Sequence, residues 1–204
     1  MISSHIIARL VTLDALAQGA CRGASCILDI SAGRIHDGSA LKARIAVWHA
    51  TSTIPLAVRI HHGAHVDFYD ELRFCRATAA VDTVLLSACE SAHSVELAAM
   101  SGCAIWPMIS TAVGLLEIES IAAAKSVARL VLCEQPIARA LGLAAGSEGE
   151  QRSLDIWRAR MVAVSCAYGL EAPVLLAPCV RNGESIEQRL QLLSEMGFGG
   201  QIAE

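Results

Sequence analysis

The chain has 204 residues, 54% apolar and 18% charged, with a mean hydropathy of +0.48. That length suits one well-buried domain over residues 1–204, and the composition excludes a disordered or polyelectrolyte chain. Sixteen Lys and Arg against twenty Asp and Glu give a formal charge of −4, with no basic run to follow a phosphate backbone, so nucleic acid is not expected as a partner. Asp, Arg, Glu or Pro break the apolar stretches well short of the ~18 residues a membrane span needs. The start Met1-Ile2-Ser3-Ser4-His5 lacks the charged segment and apolar run of a signal peptide, so neither export nor membrane association is expected. The eight cysteines include no Cys-x-x-Cys pair and read as reduced thiols packed like small hydrophobes, which points to the cytoplasm.

Taken in chain order, short β-rich runs alternate with stretches of helical period, the pattern of a parallel sheet built from βα units. Strands are expected at His5–Val11, Cys26–Ile30, Ile54–Ile60, Asp82–Leu86, Cys103–Ile109, Val127–Cys133, Ala172–Ala177 and Phe198–Ala203. Eight strands predict an α/β fold of the (β/α)8 TIM-barrel type, at the short end of its length range. Leu154, Trp157, Met161, Val164 and Tyr168 recur at helical spacing and are expected to seat a helix on the sheet. Gly146-Ser147-Glu148-Gly149-Glu150 reads as a surface loop. Ser185-x-x-Gln188 forms a capping box that opens a helix over Ile186–Met196.

In such a barrel the reacting groups come from strand C-termini and the loops after them. Those places hold Asp29 after strand two, Arg59 followed by His61, His62 and His65 after strand three, and Glu90 after strand four. Ser110 follows strand five, and Glu134 and Pro136 follow strand six. Arg59 stands in an apolar run, where a guanidinium needs an anionic partner. An internal pair with Asp29 and a role in binding a substrate carboxylate or developing oxyanion are both open, and compatible. The histidines could bind a metal ion or act as general bases, but their spacing is unspecific and Gly63 opposes a helix there, so a solvated loop is the simpler reading. Gly-x-Ser-x-Gly, P-loop and Gly-x-Gly-x-x-Gly motifs are missing.

Ala24-Ser25-Cys26-Ile27-Leu28-Asp29-Ile30, Leu56-Ala57-Val58-Arg59-Ile60 and Val84-Leu85-Leu86 with Glu90-Ser91-Ala92 resemble the citrate lyase beta-chain branch of the HpcH/HpaI aldolase superfamily. So does the run from Trp106 to Leu116 with Ile121-Ala122-Ala123 and Ala140-Leu141-Gly142, which is similar to that family's "IPLIETARGLL…EIAA…DLAADLG" block. Leu154–Gly169 and Met196–Gln201 resemble its late helix and closing "GFDGK" strand, so the likeness spans nearly the whole chain in order. The resemblance implies a barrel like the phosphoenolpyruvate/pyruvate domain, assembled as a homo-oligomer (trimer or hexamer). It also implies enzymes that make or cleave carbon–carbon bonds in small carboxylic acids and acyl-CoA thioesters, with Mg²⁺ stabilising an enolate.

Residue by residue the resemblance keeps Asp29 and Arg59 and loses the metal cradle. The family's two magnesium-binding carboxylates align with Ser110 and Pro136, neither of which suits a hard cation that prefers carboxylate oxygens. No metal cofactor is therefore expected at those positions. The acidic pair after "LDL" is Ser31-Ala32, the lysine of "LPK" is Ala88, and the acidic residue of strand seven is apolar. The sequence ends at Glu204, ahead of the family's "IHP" segment and covering helices. Three readings stay open. One is a lyase with a shifted carboxylate pair at Glu90 and Glu134, with Arg59 orienting the acid and Ser110 among the binding groups. A second is a site built on the histidines. The third is a barrel that has lost the reaction and serves binding or assembly.

Overall fold

The computed structural model describes residues 6–12, 25–31, 38–51, 56–177 and 185–203. Its eight strands are β1 (Ile6–Val11), β2 (Ser25–Asp29), β3 (Leu56–Ile60), β4 (Val81–Leu86), β5 (Ala104–Ile109), β6 (Arg129–Cys133), β7 (Glu171–Ala177) and β8 (Gly200–Ala203). Each pairs in parallel with the next and β8 returns to β1, closing the barrel. The α/β (β/α)8 expectation is met. Every expected strand has its counterpart, with shifts only at the ends. Val127, for example, makes an isolated bridge to Ile105 and does not extend β6.

Strands covered on both faces are apolar almost without a break, and β6 is buried at every position. Its alternate residues divide between two cores. Val131 and Cys133 join Ile27, Leu85, Met108 and Leu176 inside the barrel. Leu130 and Leu132 face the layer of helices. Those helices are α1 (Gly38–Thr51), α2 (Phe68–Arg76), α3 (Ala92–Ala98), α4 (Ala112–Leu116), α5 (Ile118–Ala122), α6 (Glu134–Ala140), α7 (Glu148–Ala167) and α8 (Ile186–Glu195). At the N-terminal end of the barrel Arg129 lies over the Trp106 ring, 4.9 Å from its centroid, and pairs with Glu171. Both side chains of that stack occupy the end opposite the mouth, where TIM barrels carry stability and not chemistry.

Three expectations need correction. The stretch Gly146–Glu150 is a loop only over Gly146 and Ser147, because Ser147 caps α7 by accepting the Glu150 N–H while the Glu150 carboxylate accepts the Gly146 N–H at 2.7 Å. The Ser-x-x-Glu spacing outweighs the two glycines. Tyr168 stands just past the end of α7 and is 44% exposed, although Leu154, Met161 and Val164 of the same stripe are buried. The helix ends before the stripe does, as Gly169 turns left-handed at φ 66°. Cys26 is joined in a disulfide, with a partner outside the described residues, so not all eight cysteines are thiols; Cys75, Cys89, Cys103, Cys133 and Cys166 are free. Among the described residues no helix is long and apolar enough to cross a membrane.

Candidate functional site at the barrel mouth

The C-terminal ends of β2, β3 and β4 bring the conspicuous charges together. Asp29 and Arg59 are directly opposed in the β2–β3 register, with Arg59 Nη1 3.4 Å from Asp29 Oδ2. Arg59 Nε donates to Ser87 Oγ at 3.1 Å, and Ser87 is fixed in turn by its N–H to the Ile60 carbonyl, 3.1 Å. The second oxygen of Asp29 accepts both the backbone N–H and the hydroxyl of Ser31, at 3.0 and 2.6 Å. The guanidinium is thus oriented from two sides. Its Nη2 has no hydrogen-bond partner among the described residues, and the side chain keeps 24% of its surface exposed. A planar cation held in this way presents a directed donor to an incoming carboxylate.

The loop after β4 follows Ser87, which holds Arg59. Ala88 adopts φ 44°, the only positive φ at a non-glycine residue among the described residues, and Cys89 next to it is buried. Burial pushes the Cys89 thiol up to about 12, against a hydrogen bond to the Ser91 carbonyl that works the other way. Gly114 of α4 packs on the same loop so closely that a Cβ would come within 2.5 Å of the Cys89 carbonyl oxygen. Thr111 caps α4 through the Gly114 N–H. This seats Ser110, half-buried, at the mouth behind β5. Glu90 is exposed and makes no ion pair among the described residues.

Glu134 and Pro136 lie elsewhere in the arrangement. Glu134 opens α6 and is buried, its carboxylate bound to the guanidinium of Arg158 on α7. Arg158 also pairs with Asp155 at 2.6 Å. Burial disfavours the Arg158 charge, yet the bonds to Glu134 and Asp155 outweigh it and hold its pKa above the usual arginine value. Pro136 is exposed in the first turn of α6, where a missing N–H costs nothing. Among the described residues no group of three or more His, Cys, Asp or Glu side chains is placed to hold a metal ion.

The three histidines lie in the loop after β3, His62 exposed and His61 and His65 half-buried. The His61 N–H donates to Glu71 Oε2 at 2.8 Å, and its Nδ1 lies 2.7 Å from Glu71 Oε1. The His61 and His65 rings stack at 3.5 Å between centroids and 2° between planes, with His62 edge-on to His65. Sequence reasoning singles out the imidazoles but misses Glu71, Ser87 and Ser31. Glu71 lies ten positions from its partner inside an ordinary amphipathic helix, so no local pattern marks it. Arg158 did carry a signal, as a charge falling on the apolar stripe between Leu154 and Met161.

Fold and mouth together define a (β/α)8 barrel with an arginine–aspartate pair where barrel enzymes bind their ligands. Solved structures with this fold include, from Mycobacterium tuberculosis, CitE in complex with the triphosphate group of ATP, with 21% identity over 98% of this chain and 92% of that one, TM-score 0.73. RipC from Yersinia pestis shares 20% identity over 100% of this chain and 90% of its own, TM-score 0.74. CitE from Mycobacterium tuberculosis in complex with magnesium, acetoacetate and coenzyme A shares 19% over 100% and 77%, TM-score 0.74. No family model matches the sequence, and no curated protein does.

Proposed function

We propose that this chain is a divergent relative of the citrate lyase beta subunits. In this reading it binds a small carboxylic acid, free or as an acyl-CoA thioester, at Arg59 without magnesium, and it turns that ligand over weakly or not at all. The observation that carries the reading is Arg59 itself, fixed by Asp29 and Ser87 with Nη2 unpartnered among the described residues. Structures of the same fold have been solved with acetoacetate and coenzyme A and with oxaloacetate, which is why those compounds are the first ligands to try. The donor set does not fit Mg²⁺, since Ser110 offers one hydroxyl, Pro136 offers none, and Glu134 is committed to Arg158. Of the pair Glu90 and Glu134 considered for a relocated metal site, only Glu90 makes no ion pair among the described residues. What the chain's own residues supply is a charge-assisted anchor from Arg59, with the Ser110 hydroxyl within the same mouth.

Thermal melts with acetoacetate, oxaloacetate and coenzyme A, each with and without Mg²⁺, test this. Binding at Arg59 predicts a saturable rise in Tm with an acid, unaffected by Mg²⁺ and lost in Arg59→Gln. A rise that requires Mg²⁺, or one that Arg59→Gln leaves intact, would show the proposal to be wrong.

A further inference from the structure

A guanidinium and an imidazole lie at the end of β3, each held by a carboxylate. Arg59 is neutralised by Asp29, and its Nη2 has no partner among the described residues. His61, just past the end of β3, meets the carboxylate of Glu71, which is 1% exposed and has turned both its oxygens to this one residue. An ionised carboxylate can only accept, so Nδ1 carries the proton of the neutral ring and Nε2 presents a lone pair. Nε2 has no partner among the described residues, and the side chain keeps 19% exposure. His65 holds the plane of the ring from above. The backbone N–H of Asp67 donates to its Nδ1 at 3.3 Å, leaving the proton of neutral His65 on Nε2.

We propose that His61 is the second anchor of the mouth: with Arg59 it binds the two carboxylates of a dicarboxylic acid, and it takes up a proton at Nε2 as the ligand enters. This rests on Arg59 being a carboxylate anchor, as argued above. The neutral Nε2 can only accept and meets a carboxylate lone pair to lone pair, whereas the protonated ring donates to it while Nδ1 stays on Glu71. The charged and titratable groups around His61 are Glu71 from α2, the stacked His65 and, around that ring, His62 and Asp67 of the loop. Arg59 and Asp29 lie at the ends of β3 and β2. Stacking confines the uptake to one proton, because two parallel imidazolium rings at 3.5 Å would repel each other. Affinity for a dicarboxylate therefore rises as pH falls, until the ligand's own carboxylates protonate.

The test is calorimetric titration of the full chain with succinate and with butyrate, at about pH 6 and about pH 8.5, in two buffers of different ionisation enthalpy. Succinate should bind about tenfold tighter than butyrate at the lower pH, one charge-assisted hydrogen bond's worth, with a net uptake of protons read from the difference between the two buffers. That preference should vanish at the higher pH, and His61→Gln should reduce succinate to the affinity of butyrate. If both acids bind equally, or succinate keeps its preference at high pH or in His61→Gln, the second anchor is refuted while Arg59 stands. If neither acid binds at either pH, both readings fail. The pH dependence of the unaltered protein decides the matter even where the variant does not fold.

Discussion

Asp29 and Arg59 are a case of one contact serving two purposes. The pair satisfies a guanidinium in an apolar surrounding and leaves part of it open, so stability and binding are not alternatives at this position. The neighbouring loop shows the cost of shaping the mouth: Ala88 is left-handed, and Gly114 touches the carbonyl next to it. Gly114→Ala forces a backbone shift in a packed region and is expected to lower stability by about 1–3 kcal/mol in denaturant unfolding; a neutral result would mean the loop yields freely. The cysteines differ by environment in the same way. Burial, the largest cause, raises the Cys75 and Cys89 thiols, and both stay protonated through neutral and mildly alkaline pH. Maleimide at pH ~8 should label exposed Cys166 and spare those two, as peptide mass mapping would show. Rapid labelling of Cys89 in the folded protein would contradict the packing described for the β4 loop.

Among the elements, α6 and α7 are tied by charge as well as by apolar contact. Glu134 and Arg158 are both nearly withdrawn from solvent, and one Arg158 nitrogen, Nη2, has no partner even so. Glu134→Leu strands a buried guanidinium with only Asp155 beside it and is expected to cost about 3 kcal/mol. The double variant with Arg158→Leu should recover a large part of that loss, and a denaturant series on the three variants measures it. Full additivity of the two single changes would show that the pair does not act as a unit. Helix α8 follows its sequence closely, since the Ser185–Gln188 capping box forms in full. Helix α7 shows that a cap can outrank composition: Ser147 and Glu150 begin a helix in the stretch that looked most like a linker.

At the scale of the molecule, the alternation of runs was enough to place eight strands, because a parallel barrel buries each of them on both faces and leaves little choice of residue. The site was legible only where a charge interrupts an apolar run, as Asp29 and Arg59 do. The partners that set its geometry, Ser87, Ser31 and Glu71, arrive from separate strands and helices and leave no trace in local spacing. The same limit explains Glu134, which stands beside the mouth in sequence and turns to α7 in space. Val113 and Leu116 of α4 and Val66 after β3 are large apolar residues left exposed, and an assembly of copies such as the resemblance implies would cover residues of this kind. Light scattering at micromolar concentration should give a multiple of 21.5 kDa, and a monomer would argue against assembly through those faces.

The claim on which the rest depends is an acid anchored by Arg59 with no divalent ion beside it. A crystal soaked with oxaloacetate and excess Mn²⁺, with anomalous data to locate the metal, examines both halves at once. The account predicts a carboxylate within hydrogen-bonding distance of Arg59 Nη2 and no anomalous peak between Ser110 and Pro136. An ordered manganese ion bridging that gap to the bound acid would contradict it.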